Sequence, residues 1–362
     1  MVHCTNCGQG YPENGVAYRC SKCGGIYDIP ELPKFDASKV EPQLAGIWKY
    51  RHTFGISGDE EGISLGEGST PLVWAKAFRK DIAFKCEYLN PTGSFKDRGS
   101  SVLTSFLHSR GIREAIEDSS GNAGASFAAY AARAGISAKI YIPDSASGQK
   151  RKQIEMYGAE VVRIMGSRSN TAEAVQRVAD KGAIYASHAY LPFNLPGYAT
   201  LAYELIEQLG GGLGTIVLPV GQGGLFLGLA RGFKNLLKSG MILKVPKLVG
   251  VQALACAPLW TLYAYGSAGF EIAGEVPTIA EGIRVRYPVR GDAVMQVCTE
   301  FEAELLPVEE TEILLGRDNL ARSGFYVEPT SAVVWNALEQ GVSRWEEPIV
   351  AVLTGSGLKT SS

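Results

Sequence analysis

The chain has 362 residues, 46% of them hydrophobic and 20% charged, with a formal net charge of −2. That size and balance read as a globular protein of two ordinary domains, or one large domain with an appendage, and exclude a largely disordered chain. A near-neutral charge gives no general attraction to nucleic acid or to an anionic bilayer, and no apolar run approaches spanning length, so neither nucleic acid nor membrane is an expected partner.

The start, Met1-Val2-His3-Cys4, has no signal-peptide pattern, which points to the cytoplasm. Four of the seven cysteines, Cys4, Cys7, Cys20 and Cys23, form two Cys-x-x-Cys-Gly knuckles within residues 1–28. Each knuckle can aim two thiolates at one ion, giving a tetrahedral four-sulfur site of the structural zinc type; a pair of redox dithiols is the alternative. Four protein ligands leave the metal no open position, so it has no expected catalytic role. Cys86, Cys256 and Cys298 read as small buried hydrophobes.

After a linker to about residue 45, short apolar runs alternate with helical patterns. Strands are expected over 83–89, 115–118, 138–142, 161–164, 183–187, 215–220, 248–252 and 349–353. Helices are expected over 122–134, 150–157, 171–181, 198–209, 224–237, 317–323 and 331–339. This alternation predicts an α/β fold of parallel sheets covered by helices on both faces. Ligands in such folds collect where Gly-rich turns join strand ends to helix N-termini, because free N–H groups point there.

Three turns of this kind carry unusual chemistry. Asn90-Pro91-Thr92-Gly93-Ser94-Phe95-Lys96-Asp97-Arg98-Gly99 places a lysine at a strand-to-helix junction, either as a nucleophilic amine or as a surface lysine. In Ser119-Ser120-Gly121-Asn122-Ala123-Gly124, small residues let a backbone approach a ligand and the helix end favours an anion, although Asn122 could serve as an N-cap alone. Gly221-Gln222-Gly223-Gly224-Leu225 is a phosphate cradle by composition. It lacks the Gly-Lys-Ser/Thr of a Walker loop, and Phe226 stands where a dinucleotide fingerprint needs its last glycine.

Taken together, these segments resemble the fold-type II pyridoxal-phosphate enzymes in their threonine-synthase form. The resemblance extends to Gly66-Glu67-Gly68-Ser69-Thr70-Pro71-Leu72 and Thr354-Gly355-Ser356-Gly357-Leu358-Lys359, in the family's order, from about residue 40 onward. It implies two doubly wound parallel-sheet domains: a large cofactor-binding one from 45–100 and 205–362, and a small one from 101–204. The zinc ribbon of residues 1–28 also occurs in some relatives. By the same resemblance Lys96 carries pyridoxal 5′-phosphate as a Schiff base and moves the Cα proton, and Asn122 bonds the cofactor's 3′-oxygen. Gly221, Gln222, Gly223, Gly224 and Leu225 hold its phosphate, and Thr354 faces the pyridine nitrogen. Ser120, Gly121 and Ala123 lie near the substrate carboxylate. A neutral hydroxyl at the ring nitrogen suits elimination and replacement at Cβ or Cγ. A homodimer is expected by resemblance.

The match departs from the family before residues 195–204. The family offers an Asn and an Arg there; the corresponding positions here are His188 and Asn194, and no arginine occurs between Arg177 and Arg231. Ser356 stands where the family often has His. His188 reads equally as a group for the distal end of the substrate and as an ordinary core or surface histidine. The expected reaction is therefore a β,γ-elimination and water addition that converts O-phosphohomoserine to threonine. The alternative is β-elimination or β-replacement on a serine-, threonine- or cysteine-like amino acid.

Overall fold

The computed structural model describes residues 2–56, 62–146, 148–274 and 276–360. In chain order the strands and helices begin with β1 (His3–Cys4), β2 (Tyr27–Asp28), β3 (Leu72–Ala77), β4 (Lys80–Lys85), α1 (Lys96–Ser109), β5 (Glu114–Glu117), α2 (Asn122–Ala134) and β6 (Ser137–Pro143). They continue with α3 (Gln149–Met156), β7 (Glu160–Ile164), α4 (Arg168–Ala179), α5 (Leu195–Leu209), β8 (Thr215–Pro219), α6 (Gly224–Lys238) and β9 (Lys247–Ala253). The last are α7 (Pro258–Tyr265), α8 (Ser267–Ile272), α9 (Gly291–Glu300), β10 (Glu304–Val308), α10 (Glu310–Arg322), α11 (Pro329–Gly341) and β11 (Ile349–Val352).

Two compact units result. The first comprises Met1–Gly68, Asn90–Tyr198 and Lys359–Ser362, the second Ser69–Leu89 and Ala199–Leu358. Residues 45–68 and 90–100, expected in the large domain with 205–362, fall in the first unit, and residues 199–204, expected in the small domain, fall in the second. The helix α1 joins the first unit because Leu103, Phe106 and Leu107 are buried in that unit's core with Phe127, Ala131, Ile140 and Ile142.

The first unit is built on a parallel sheet in the order β5-β6-β7. Alanine supplies much of α2, at little side-chain entropy cost, and Gly135 ends the helix in the left-handed region with its N–H returned to the carbonyls of Ala131 and Ala132. A capping box between Ser167 and Asn170 starts α4. The strand expected over 183–187 is reduced to one parallel bridge, Ile116 to Tyr185. The chain leaves the sheet there because the Ser187 hydroxyl accepts the amides of Ala189 and Tyr190, which closes a turn.

The second unit holds a sheet ordered β10-β9-β8-β11-β4-β3. All its pairings are parallel except β3 with β4. That hairpin closes through Phe78 and Arg79, with φ of 53° and 62°, the primed geometry that matches strand twist. Neither residue type signals such a turn, so β3 was not expected, and the strand expected over 83–89 instead occupies Lys80–Lys85. Strand β10 and helices α7 to α9 are likewise additions to the expected set. No helix among the described residues is long and apolar enough to cross a membrane.

A buried ion pair anchors the start of β3. Lys85 Nζ lies 3.0 Å from Glu204 Oε2, with the two side chains 0% and 2% exposed, and also donates to the Thr70 carbonyl at 2.7 Å and to Gln208 at 2.9 Å. Glu204 in turn accepts the Ser69 amide at 2.8 Å. Removing one partner strands the other charge in a low-dielectric interior. Lys85→Met is accordingly expected to lower unfolding stability by about 3–5 kcal/mol, read as a reduced urea midpoint, whereas an unchanged midpoint would show the pair to be energetically idle.

Candidate active site

In the first unit, the Asn90–Gly99 turn is fixed from inside. The Gly93 amide bonds the Asn90 carbonyl at 2.8 Å with φ of 84° at Gly93, and Asn90 Oδ1 accepts the Gly68 amide at 2.9 Å. Asp97, fully buried, accepts from the Thr92 amide, the Thr92 hydroxyl and the Ser126 hydroxyl, each at 2.6 Å. The same carboxylate thus closes the turn and ties α1 to α2. Lys96, the first residue of α1, is half-buried with its Nζ 4.8 Å from the Phe95 ring centre. Two residues earlier, Ser94 Oγ is buried with no hydrogen-bond partner among the described residues. Backbones approach closely here: a Cβ on Gly99 would lie 2.5 Å from the Tyr198 ring, and one on Gly197 would lie 2.0 Å from the Arg98 carbonyl oxygen.

Helix α2 opens at Gly121 with no side-chain cap and no acidic residue in its first turn, a helix end whose field suits an anion, and the Gly121 amide bonds the Ser119 hydroxyl at 3.2 Å. The approach is tight enough that a Cβ on Gly124 would lie 1.8 Å from the Ser119 carbonyl oxygen. Ser120, Gly121 and Asn122 are half-buried at this end and Ala123 is buried.

His188 belongs to the same unit and is half-buried. Its Nδ1 lies 2.6 Å from Glu117 Oε1, and Glu117 Oε2 accepts the Ser119 amide at 2.5 Å. Asn194 donates to the His188 carbonyl at 2.6 Å, while its Oδ1 is buried and unpartnered among the described residues. Glu117 was missed from sequence; the signal was a carboxylate ending an apolar strand just before a Gly-rich turn. Arg168 is engaged by Asp118, 3.0 Å from its Oδ2.

The four cysteine sulfurs lie within 4.8 Å of one another, with Cys4 to Cys23 at 3.5 Å and Cys7 to Cys20 at 3.7 Å. Four thiolates about 2.3 Å from a zinc ion sit about 3.8 Å apart, so the set is close to that geometry.

In the second unit, β8 runs into Gly221–Leu225, and Gly223, with φ of 85°, opens α6 without a side-chain cap. A Cβ on Gly223 would lie 2.5 Å from a Val294 methyl carbon, so glycine is required there for space as well as for φ. Gln222 turns its side chain to structure, accepting the Val289 amide at 3.0 Å. Leu225 is buried. Thr354 follows β11, is 2% exposed, and shares a 3.1 Å hydroxyl contact with Ser331. Ser331 also accepts the Gly355 amide at 2.8 Å, and no motif marked it in the sequence.

Residues 63–355 match the family model described as pyridoxal-phosphate dependent enzyme. The chain belongs to that family. Among curated relatives, threonine synthase of Methanocaldococcus jannaschii is 32% identical across 99% of this chain and 93% of its own. Threonine synthase of Mycobacterium bovis is 32% identical across 88% of this chain and 89% of its own. Among solved structures, the threonine deaminase of T.th. superposes with a TM-score of 0.67 at 26% identity, covering 81% of this chain and 94% of that one. Maize serine racemase gives 0.69 at 23% identity over 81% and 88%, a likeness of fold. The fold is that of type II pyridoxal-phosphate enzymes, and the protein is a pyridoxal-phosphate-dependent enzyme with threonine synthase homologues. The residues present suit that cofactor: an amine at a helix start, an unpartnered buried hydroxyl two residues before it, and glycine-opened helix N-termini that take anions.

Burial pushes the Asp97 carboxyl up from 3.8 to about 6, against the lowering effect of its bonds from Ser126 and Thr92 and the charge of Lys359. Folding therefore favours the protonated form. This group's contribution is full below 3.8 and is lost as the pH rises towards about 6. Asp97→Asn is expected to flatten that part of the stability–pH curve, measured by urea unfolding across the interval; an unaltered slope would count against it.

Proposed function

We propose that the protein is a threonine-synthase-like lyase that converts O-phosphohomoserine and water to threonine and phosphate. The observation carrying this reading is the similarity to threonine synthase over 99% of the chain, a span that takes in both cysteine knuckles and the Lys96 turn. Pyridoxal phosphate, when bound, supplies an electron sink for the carbanion formed at Cα.

The chain's own residues do the rest. Lys96 holds the cofactor and its Nζ takes the proton from substrate Cα, with Asp97 keeping the turn that presents it. Asn122 steadies the cofactor ring oxygen. Ser120 and Gly121, just before α2, and Ala123 in its first turn receive the substrate carboxylate, using the favourable field of a helix N-terminus. Gly221 to Leu225 provide backbone donors for the cofactor phosphate. Thr354, held by Ser331, gives the ring nitrogen a neutral hydroxyl partner. His188, oriented by Glu117, and Asn194, with an acceptor to spare, meet the distal end of the substrate. Cys4, Cys7, Cys20 and Cys23 hold structural zinc, and the enzyme acts as a cytoplasmic homodimer.

A second reading, β-elimination or β-replacement on a serine-, threonine- or cysteine-like amino acid, is favoured by one observation. His188 and Asn194 replace the family's Asn and Arg, and Arg168 is taken by Asp118.

Purified protein is expected to be yellow, to lose its absorbance on Lys96→Ala, and to release phosphate from O-phosphohomoserine. Ammonia and keto acid from β-substituted amino acids, with no phosphate release, would replace the first reading by the second. Metal analysis is expected to find one zinc per chain, lost on Cys20→Ser.

A further inference from the structure

We propose that Tyr18 and Arg19 are positioning residues for the lyase reaction, holding residues 185–194 in the place set by the four-cysteine cluster. The proposal rests on the reading that His188 and Asn194 meet the substrate.

Tyr18 and Arg19 immediately precede Cys20. The knuckle around them is rigid: the Cys20 amide bonds the Gly25 carbonyl at 2.8 Å, and the Gly24 amide bonds the Cys20 carbonyl at 2.8 Å. Among the described residues, the buried core of this segment is Cys4, Cys20 and Tyr27, and Val2, Tyr11, Val16 and Tyr18 pack against the larger core of the first unit. From this base Arg19 donates to the Tyr190 hydroxyl at 3.0 Å and to Gln176 at 3.3 Å, with its guanidinium 5.0 Å above the Tyr190 ring centre. Tyr18 sets its ring edge-on to Tyr185 at 5.4 Å and to Tyr190 at 5.6 Å, and its hydroxyl bonds Asp180. The first knuckle adds Tyr11, edge-on to Phe193 at 5.0 Å, while Phe193 stacks on Phe106 at 3.5 Å.

Residues 185, 190 and 193 are thus held by the cysteine-rich segment, while His188 and Asn194, which alternate with them, bond Glu117 and the His188 carbonyl. Tyr185 passes the restraint on, donating to Asp118 at 2.7 Å beside the Ser119–Gly124 turn. The polar contacts made by Tyr18 and Arg19 are exposed, so individually weak. Their loss loosens one segment and leaves the unit folded.

The test uses the full chain loaded with pyridoxal phosphate and compares wild type with Arg19→Ala, the Tyr18→Ala/Arg19→Ala double variant, and Arg19→Lys. Zinc content and cofactor absorbance are expected to hold. Amide hydrogen exchange over 185–194 is expected to quicken by about tenfold in the alanine variants, with 122–134 unchanged and Arg19→Lys intermediate. The KM for O-phosphohomoserine is expected to rise by about tenfold with kcat nearly constant, the signature of lost substrate binding rather than of lost chemistry. Unchanged exchange in the double variant overturns the proposal. Faster exchange with an unchanged KM overturns the positioning role while leaving the lyase reading intact. Absence of phosphate release by the wild type overturns the lyase reading and with it the role in that reaction, while the exchange result still reports separately on the restraint of 185–194.

Discussion

The Asp97 carboxylate is the constraint on which the geometry of the first unit depends. Two of its bonds go back to Thr92 and one crosses to Ser126, so a single buried group sets the shape of the turn, the start of α1 and the seating of α1 on α2. A carboxylate is suited to this because it accepts several hydrogen bonds at once, and charge-assisted bonds tolerate burial that a lone charge does not. Lys96 sits next to it in sequence. Its amine is therefore displayed by a backbone that has little freedom to rearrange, which suits the role proposed for it.

The second unit uses the same physics with different groups. Lys85 and Glu204 are buried together, and most of their remaining capacity goes to backbone atoms of residues 69 and 70. The pair fixes a loop rather than merely filling a core. In the same unit Gly223 opens α6, and its Cβ-free backbone lets Val294 approach within a distance no side chain allows.

Much of this was legible in the sequence, for identifiable reasons. Strands β8, β9 and β11 are short apolar runs whose burial on both faces leaves a plain signature, β6 and β7 are apolar runs that stay partly exposed, and the helices between them follow the helical period. The Lys96 turn and the two cysteine knuckles are local, so adjacent residues carry the whole pattern. What escaped was non-local or atypical. Strand β3 turns on Phe78 and Arg79, residue types that carry no turn signal. The stretch 183–187 is apolar enough for a strand, but Ser187 diverts it after one bridge. Glu117 and Ser331 reach partners 71 and 23 residues away, which no local pattern shows.

Asn194 closes a short helical turn, Pro192–Asn194, whose backbone is pinned on both sides. Upstream, Tyr185 and Tyr190 are gripped; downstream, Gly197 lies against the Arg98 carbonyl with no space to spare. The Asn194 side chain adds to this hold, donating to the His188 carbonyl at 2.6 Å. Any side chain at 197 would push on the Arg98 carbonyl, two residues from Lys96, so the close packing that pins this segment also ties it to the lysine turn.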